Sequence, residues 1–192
     1  MKNAICIGAY DITNKRNLRL LTHAGKNQPI NTQFNVGQVW GMDYINSENI
    51  TKPHTEDVLL QKTSFVKNIE NMSNFLLKNM PIWKGCPTEI FDNCISFPHG
   101  KSGRLERKNS HLAQSVGFWV ADKNIELSIL NNKKHYFYFG DRQEVFCFPY
   151  VGTMDKMETI PKGTIIRVSL ARWWSPSKNK EKGCYCQISG WY

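Results

Sequence analysis

Thr164-Ile165-Ile166-Arg167-Val168-Ser169-Leu170-Ala171-Arg172-Trp173-Trp174, followed closely by Cys184-Tyr185-Cys186-Gln187-Ile188-Ser189-Gly190-Trp191, alternates in character along its length as two strands of a sheet do. Successive side chains of a strand point to opposite faces. Ile166, Val168 and Leu170 therefore share a core side, and Ile165, Arg167, Ser169, Ala171 and Trp173 share the other. The second segment divides in the same way, with Cys186 and Ile188 inward and Tyr185, Gln187, Ser189 and Trp191 outward. The polar stretch between them carries Lys178, Lys180 and Lys182, as the tip of a hairpin would.

Upstream, short runs of β-branched and aromatic residues alternate with Gly, Asn, Pro and Lys clusters, the pattern of a mainly β chain. The runs fall near residues 4–10, 17–22, 37–45 and 57–67, then 116–121, 125–130, 134–140 and 144–150. Asn131-Asn132 and Gly140-Asp141 sit where hairpin turns belong, because these residues accept positive φ at low cost. One helix is expected near 69–80, where Ile69, Met72, Phe75, Leu76 and Met80 recur at helical spacing between Asn68 and Pro81. The basic, glycine-containing stretch from His99 to His111 is the expected join, or equally a long loop within one domain. As a join it gives two halves, 1–100 and 101–192, each of a size and content that suits a small Greek-key barrel of the OB type.

Composition narrows the class. At 192 residues and 41% hydrophobic, the chain can bury a core without covalent staples. No apolar run reaches the ~18 residues that span a bilayer, and the start of the sequence lacks a signal-peptide core, so a cytoplasmic location is expected. The six cysteines then read as reduced thiols, and Cys184 and Cys186 as a strand pair facing the core. The net charge of +9 is unevenly spread: residues 1–100 hold 10 Lys/Arg against 8 Asp/Glu, and residues 101–192 hold 15 against 8. An excess of cations attracts anionic polymers to the second half.

If the two closing strands adjoin, their outward faces form a platform of Arg167, Trp173, Tyr185, Gln187 and Trp191, on which unpaired bases can stack. The alternative is that both faces are buried. Lys178, Lys180 and Lys182 would flank such a platform, and Lys101, Arg104, Arg107 and Lys108 supply a second basic cluster, with Lys133-Lys134 a weaker third. Only Pro53-His54-Thr55-Glu56-Asp57 hints at catalysis, since His, Glu and Asp so close together can hold a metal or trade protons. No second cluster completes it. A structural role is the better reading, and no cofactor, metal or catalytic residue is expected.

Phe34-Asn35-Val36-Gly37-Gln38-Val39-Trp40, the Pro53-His54-x-Glu56-Asp57 segment, Phe118-Trp119 and the two closing segments together resemble the prokaryotic dual OB-containing domain family over essentially the whole chain. The resemblance implies two OB-like barrels in tandem and a part in defence against phages or other invading elements. It brings no known catalytic residues, and Pro53, His54, Glu56 and Asp57 map onto a signature of unsettled role. The functions expected are therefore binding of nucleic acid, single-stranded DNA or RNA preferred, or, as alternatives, recruitment or restraint of an effector protein, and least a metal-dependent hydrolase centred on His54, Glu56 and Asp57.

Overall fold

The computed structural model describes residues 4–109, 111–130, 132–177 and 181–192. It divides into two compact units, Met1–Asn79 and Met80–Tyr192.

The first unit runs β1 (Ala4–Ile5), β2 (Ile7–Asp11), β3 (Arg16–Leu21), β4 (Gln28–Pro29), β5 (Gln38–Asn46), β6 (Asp57–Asn68) and α1 (Met72–Asn79). β2, β3, β6 and β5 make one sheet in that order, and β1 pairs with β4. Leu18 and Leu20 of β3 and Val58 and Leu60 of β6 form its core, as the period of two in both strands requires. Two register shifts along β5, at Val39/Trp40 and Asp43/Tyr44, bend the long β5–β6 pair. The helix begins later than its apolar spacing suggests. β6 keeps its ladder as far as Asn68, and Asn71, whose side chain accepts from the Asn74 N–H at 2.8 Å, opens the helix instead.

The second unit contains β7 (Ile82–Gly85), β8 (Ile95–Ser96), β9 (Arg104–Leu105), β10 (Val116–Ala121), β11 (Ile125–Leu130), β12 (Lys133–Phe139), β13 (Val145–Pro149), β14 (Thr159–Ile160), β15 (Ile165–Leu170) and β16 (Cys184–Trp191). Six strands form a sheet in the order β7-β10-β15-β16-β9-β8, and four form another, β13-β12-β11-β14. The two meet where Tyr150 bridges Ile188 and Ser102 bridges Cys147, which curls the unit toward a barrel. The chain comes so close at this seam that a side chain on Gly152 would lie 2.6 Å from the Ser189 carbonyl oxygen. Trp119, Tyr136, Phe148, Ile166, Val168 and Ile188 are fully buried between the sheets.

The chain divides at 79/80, ahead of the join at 100/101 read from the sequence. Residues 80–100 belong to the second unit because β7 pairs in parallel with β10, and the Trp119 indole donates to the Gly85 carbonyl at 2.9 Å. Ile90 and Phe91 are fully enclosed in its core. Nor is the basic stretch 99–111 merely a connection. Leu105 is fully buried, and β9 lies in the sheet between β16 and β8.

Candidate nucleic-acid interface

The placement of β9 matters because it sets Arg104 directly opposite Tyr185 of β16. Opposed residues in a ladder project to the same face. Arg104 of the first basic cluster and the closing strands, far apart in sequence, thus share one surface. Across it, Gln187 lies opposite Ser169 and Arg167 continues the row along β15. Arg167 donates to Ser189 Oγ at 2.7 Å, which occupies part of its guanidinium.

An open groove of about 860 Å³ lies beside this face. Lys101, Arg104 and Lys133 supply its cations, Trp174, Tyr185 and His135 its rings, and Glu181 its carboxylate. The Trp174 ring is 57% exposed and meets Tyr185 edge-on at 5.5 Å. Its position is fixed by two backbone bonds with Gly183, Trp174 N–H to the Gly183 carbonyl at 3.1 Å and the reverse at 2.9 Å. A groove with a solvent-facing indole, a phenol and three cations can stack an unpaired base and neutralise the phosphates on either side of it. Arg104 keeps its charge. Burial pulls its pKa down, but hydrogen bonds with Glu106 and Tyr185 more than offset that and leave it above the ordinary value. Cys147, also on the groove wall, is pushed up by burial and so stays a thiol.

Not every residue of the expected platform is at the surface. Trp191 is only 7% exposed, stacks on Tyr150 at 5.2 Å and packs edge-on against Tyr136 at 5.7 Å. The cause is a bulge. Val168 pairs with Ile188 but Arg167 pairs with Gly190, so Ser189 is an extra residue that reverses the alternation and sets Trp191 opposite the core residue Ile166. Ile165 is buried too, at odds with an outward face for that position. Trp173 lies beyond the end of β15 at Leu170 and packs against the core, half-buried, while its neighbour Trp174 takes the exposed place.

The basic residues also part company. Lys101 and Arg104 line the groove. Lys108 and Arg104 share Glu106, at 3.1 and 3.3 Å, and that pairing holds the Glu106 carboxyl below its usual range, the Lys108 bond contributing most. Arg107 and Lys108 sit on a short 3-10 turn, Arg107–Asn109, away from the groove lining. Lys182 is exposed at the base of the hairpin, whereas Lys178 and Lys180 lie outside the described residues. Among the groove residues, His135 and Trp174 were not singled out in the sequence and Lys133 only as half of the weaker Lys133-Lys134 cluster; β12 starts at Lys133, a residue earlier than read, which puts Lys133 and His135 on one face.

The Pro53–Asp57 segment has a different character. His54, Glu56 and Asp57 are buried, and Asp57 meets Arg19 through two contacts of 2.6 Å, Nε to Oδ1 and Nη2 to Oδ2. The Nη2–Oδ2 contact is a charge-assisted hydrogen bond, and the Nε–Oδ1 contact is an ion pair without hydrogen-bond geometry. The Arg19 N–H donates to the Glu56 carbonyl at 2.7 Å and the Ser47 N–H to the Asp57 carbonyl at 3.0 Å, so the segment clamps β3 and the end of β5 to the start of β6. Among the described residues no group of three His, Cys, Asp or Glu side chains is placed to hold a metal ion. A hydrolase centred on His54, Glu56 and Asp57 finds no support in this arrangement.

Among the described residues no helix is long and apolar enough to cross a membrane. The sequence model of the dual OB-containing domain family matches residues 1–191. No curated protein and no solved structure matches the chain.

Proposed function

The chain belongs to the dual OB-containing domain family, and on that premise we propose that it binds single-stranded nucleic acid along the groove of its second unit. OB folds commonly bind nucleic acid, with their strands and hairpin loops as the contact surface. The observation that carries the reading is the convergence of Lys101, Arg104 and Lys133 with the exposed Trp174 and with Tyr185 in one groove. A duplex hides its bases, so an exposed indole in a cationic groove favours a strand whose bases are free to stack. A place among factors that meet the nucleic acid of invading elements accords with this reading.

Fluorescence anisotropy with labelled single-stranded and duplex oligonucleotides of one length tests it. Tighter binding of the single strand at low salt, weakening as salt rises, is the expected result. Equal or no binding of both would end the proposal.

The first unit offers a different surface. Phe65 and Val66 are exposed on β6, and Trp40 packs edge-on between Phe34 at 5.1 Å and Phe65 at 5.5 Å. Exposed aromatics of this kind favour contact with a protein partner, which is the reading for an effector recruited through the first unit. Loss of a co-purifying protein on Phe65→Ala, with oligonucleotide affinity intact, is the outcome that reading requires.

A further inference from the structure

Glu181 is out of place in a groove built for an anion. Its carboxylate lines the same cavity as Lys101, Arg104 and Lys133, where a negative charge opposes phosphate. It does not serve to neutralise those cations: Arg104 is paired with Glu106, and among the described residues no ion pair involves Glu181. Nor is it remote from the stacking ring. Gly183, two positions on, is bonded in both directions to Trp174, and Glu181 and Trp174 both line the groove from these paired arms.

A ring that stacks a base, with a carboxylate beside it, discriminates among bases by simple donor counting. The Watson–Crick edge of guanine presents two adjacent donors, N1–H and the N2 amino group, which match the two oxygens of a carboxylate. Adenine and cytosine each present one amino donor next to a ring-nitrogen acceptor that a carboxylate repels. Thymine and uracil present one N–H between two carbonyl oxygens, which is worse.

We propose that Glu181 makes the groove selective for guanine, with the base stacked on Trp174 and its N1–H and N2–H₂ donating to the Glu181 carboxylate. The inference rests on the nucleic-acid reading above and adds the base it recognises. The guanine is supplied by a single strand, because Lys101 and Lys133 can engage the phosphates on either side of it, which a free nucleotide lacks. A well-matched bidentate contact discriminates by about tenfold or more.

The test is anisotropy with the whole protein on oligo(dT) and on the same strand carrying one central dG, which is too sparse in guanine to form quadruplexes. The dG strand should bind about tenfold tighter. Replacing dG by deoxyinosine, which keeps N1–H and lacks the amino group, should lose most of that gain without touching the protein. Glu181→Gln, an exposed loop substitution, should abolish the preference and raise oligo(dT) affinity, because a carboxamide turns one acceptor into a donor and removes a negative charge that opposes phosphate. GMP should compete only weakly. Equal binding of both strands, or a dG preference that survives E181Q or inosine, would overturn the proposal. GMP competing as well as the strand would overturn its assignment to a strand. If neither oligonucleotide binds, the underlying reading fails and not the base assignment alone.

Discussion

The Pro53–Asp57 segment of the first unit and the groove of the second hold the same kinds of side chain, His with carboxylates and cations, and put them to opposite use. In the first, Asp57 is 4% exposed and locked on Arg19, and its neighbours tie three strands together through their backbone. In the second, Lys101 is exposed, Trp174 stands in solvent, and His135 and Lys133 face a groove large enough for a nucleotide. What separates the two is not residue type but whether each charge already has a partner. A paired, buried charge has little left to offer a ligand, whereas a solvated cation releases its counterion when a phosphate arrives.

Substitutions on either side test that contrast. The largest effect belongs to Trp191. W191A removes a core ring that packs on Tyr136 and Tyr150, and should cost about 3–5 kcal/mol in denaturant unfolding. If it lowers oligonucleotide affinity at unchanged stability, the bulge at Ser189 has been misassigned and the ring belongs to the surface. Next comes the ionic clamp. D57A leaves Arg19 without its partner beside a buried site, and because Arg19 keeps 23% of its surface in water the loss should be roughly 2–3 kcal/mol, below that of a wholly buried pair. Oligonucleotide binding at low temperature should be unchanged.

W174A is the mirror of W191A. It should leave the unfolding midpoint within error and cost about 1–3 kcal/mol of affinity for a single strand. A fall in stability with no fall in affinity would show that the exposed indole is structural.

The smallest effect concerns pH. Burial alone would raise the Asp11 carboxyl, but hydrogen bonds from the Tyr44 hydroxyl, the Asn14 side chain and the Asn14 and Thr13 N–H groups outweigh it and bring the pKa to about 2. A carboxyl depressed in the folded state stabilises above its unfolded pKa and loses that contribution as pH falls through the folded value. The advantage of the wild-type chain over D11N in unfolding free energy should therefore be full at pH 5 and shrink toward nothing near pH 2. An advantage independent of pH would show that the hydrogen bonds do not need the charge.

How much of this was legible beforehand follows from the range of the forces involved. Strands came through well, because alternation is local: β10, β11 and β16 have the bounds the pattern gives, and Cys184 and Cys186 are fully buried with thiols pushed up to about 12 by that burial. What failed was anything that depends on a partner strand. The bulge that turns Trp191 inward exists only in the pairing of β15 with β16, and no feature of either segment alone announces it. The end of β15 at Leu170, which exchanged Trp173 for Trp174 at the surface, has the same origin. Likewise 99–111 reads as a connection until Leu105 is seen to be buried beside Cys184. That one short strand also sets Arg104 opposite Tyr185, so the missed element is the one that joins the basic stretch to the closing strands.

Binding along the groove requires that Lys101 and Lys133 meet phosphate. The slope of log affinity for a single strand against log salt measures this, since each neutralised phosphate contributes about 0.7. Replacing both lysines by Ala should make the slope shallower by about 1.4 while the unfolding midpoint stays put. A double variant whose slope is unchanged would mean that the strand lies elsewhere and that the groove is not its site.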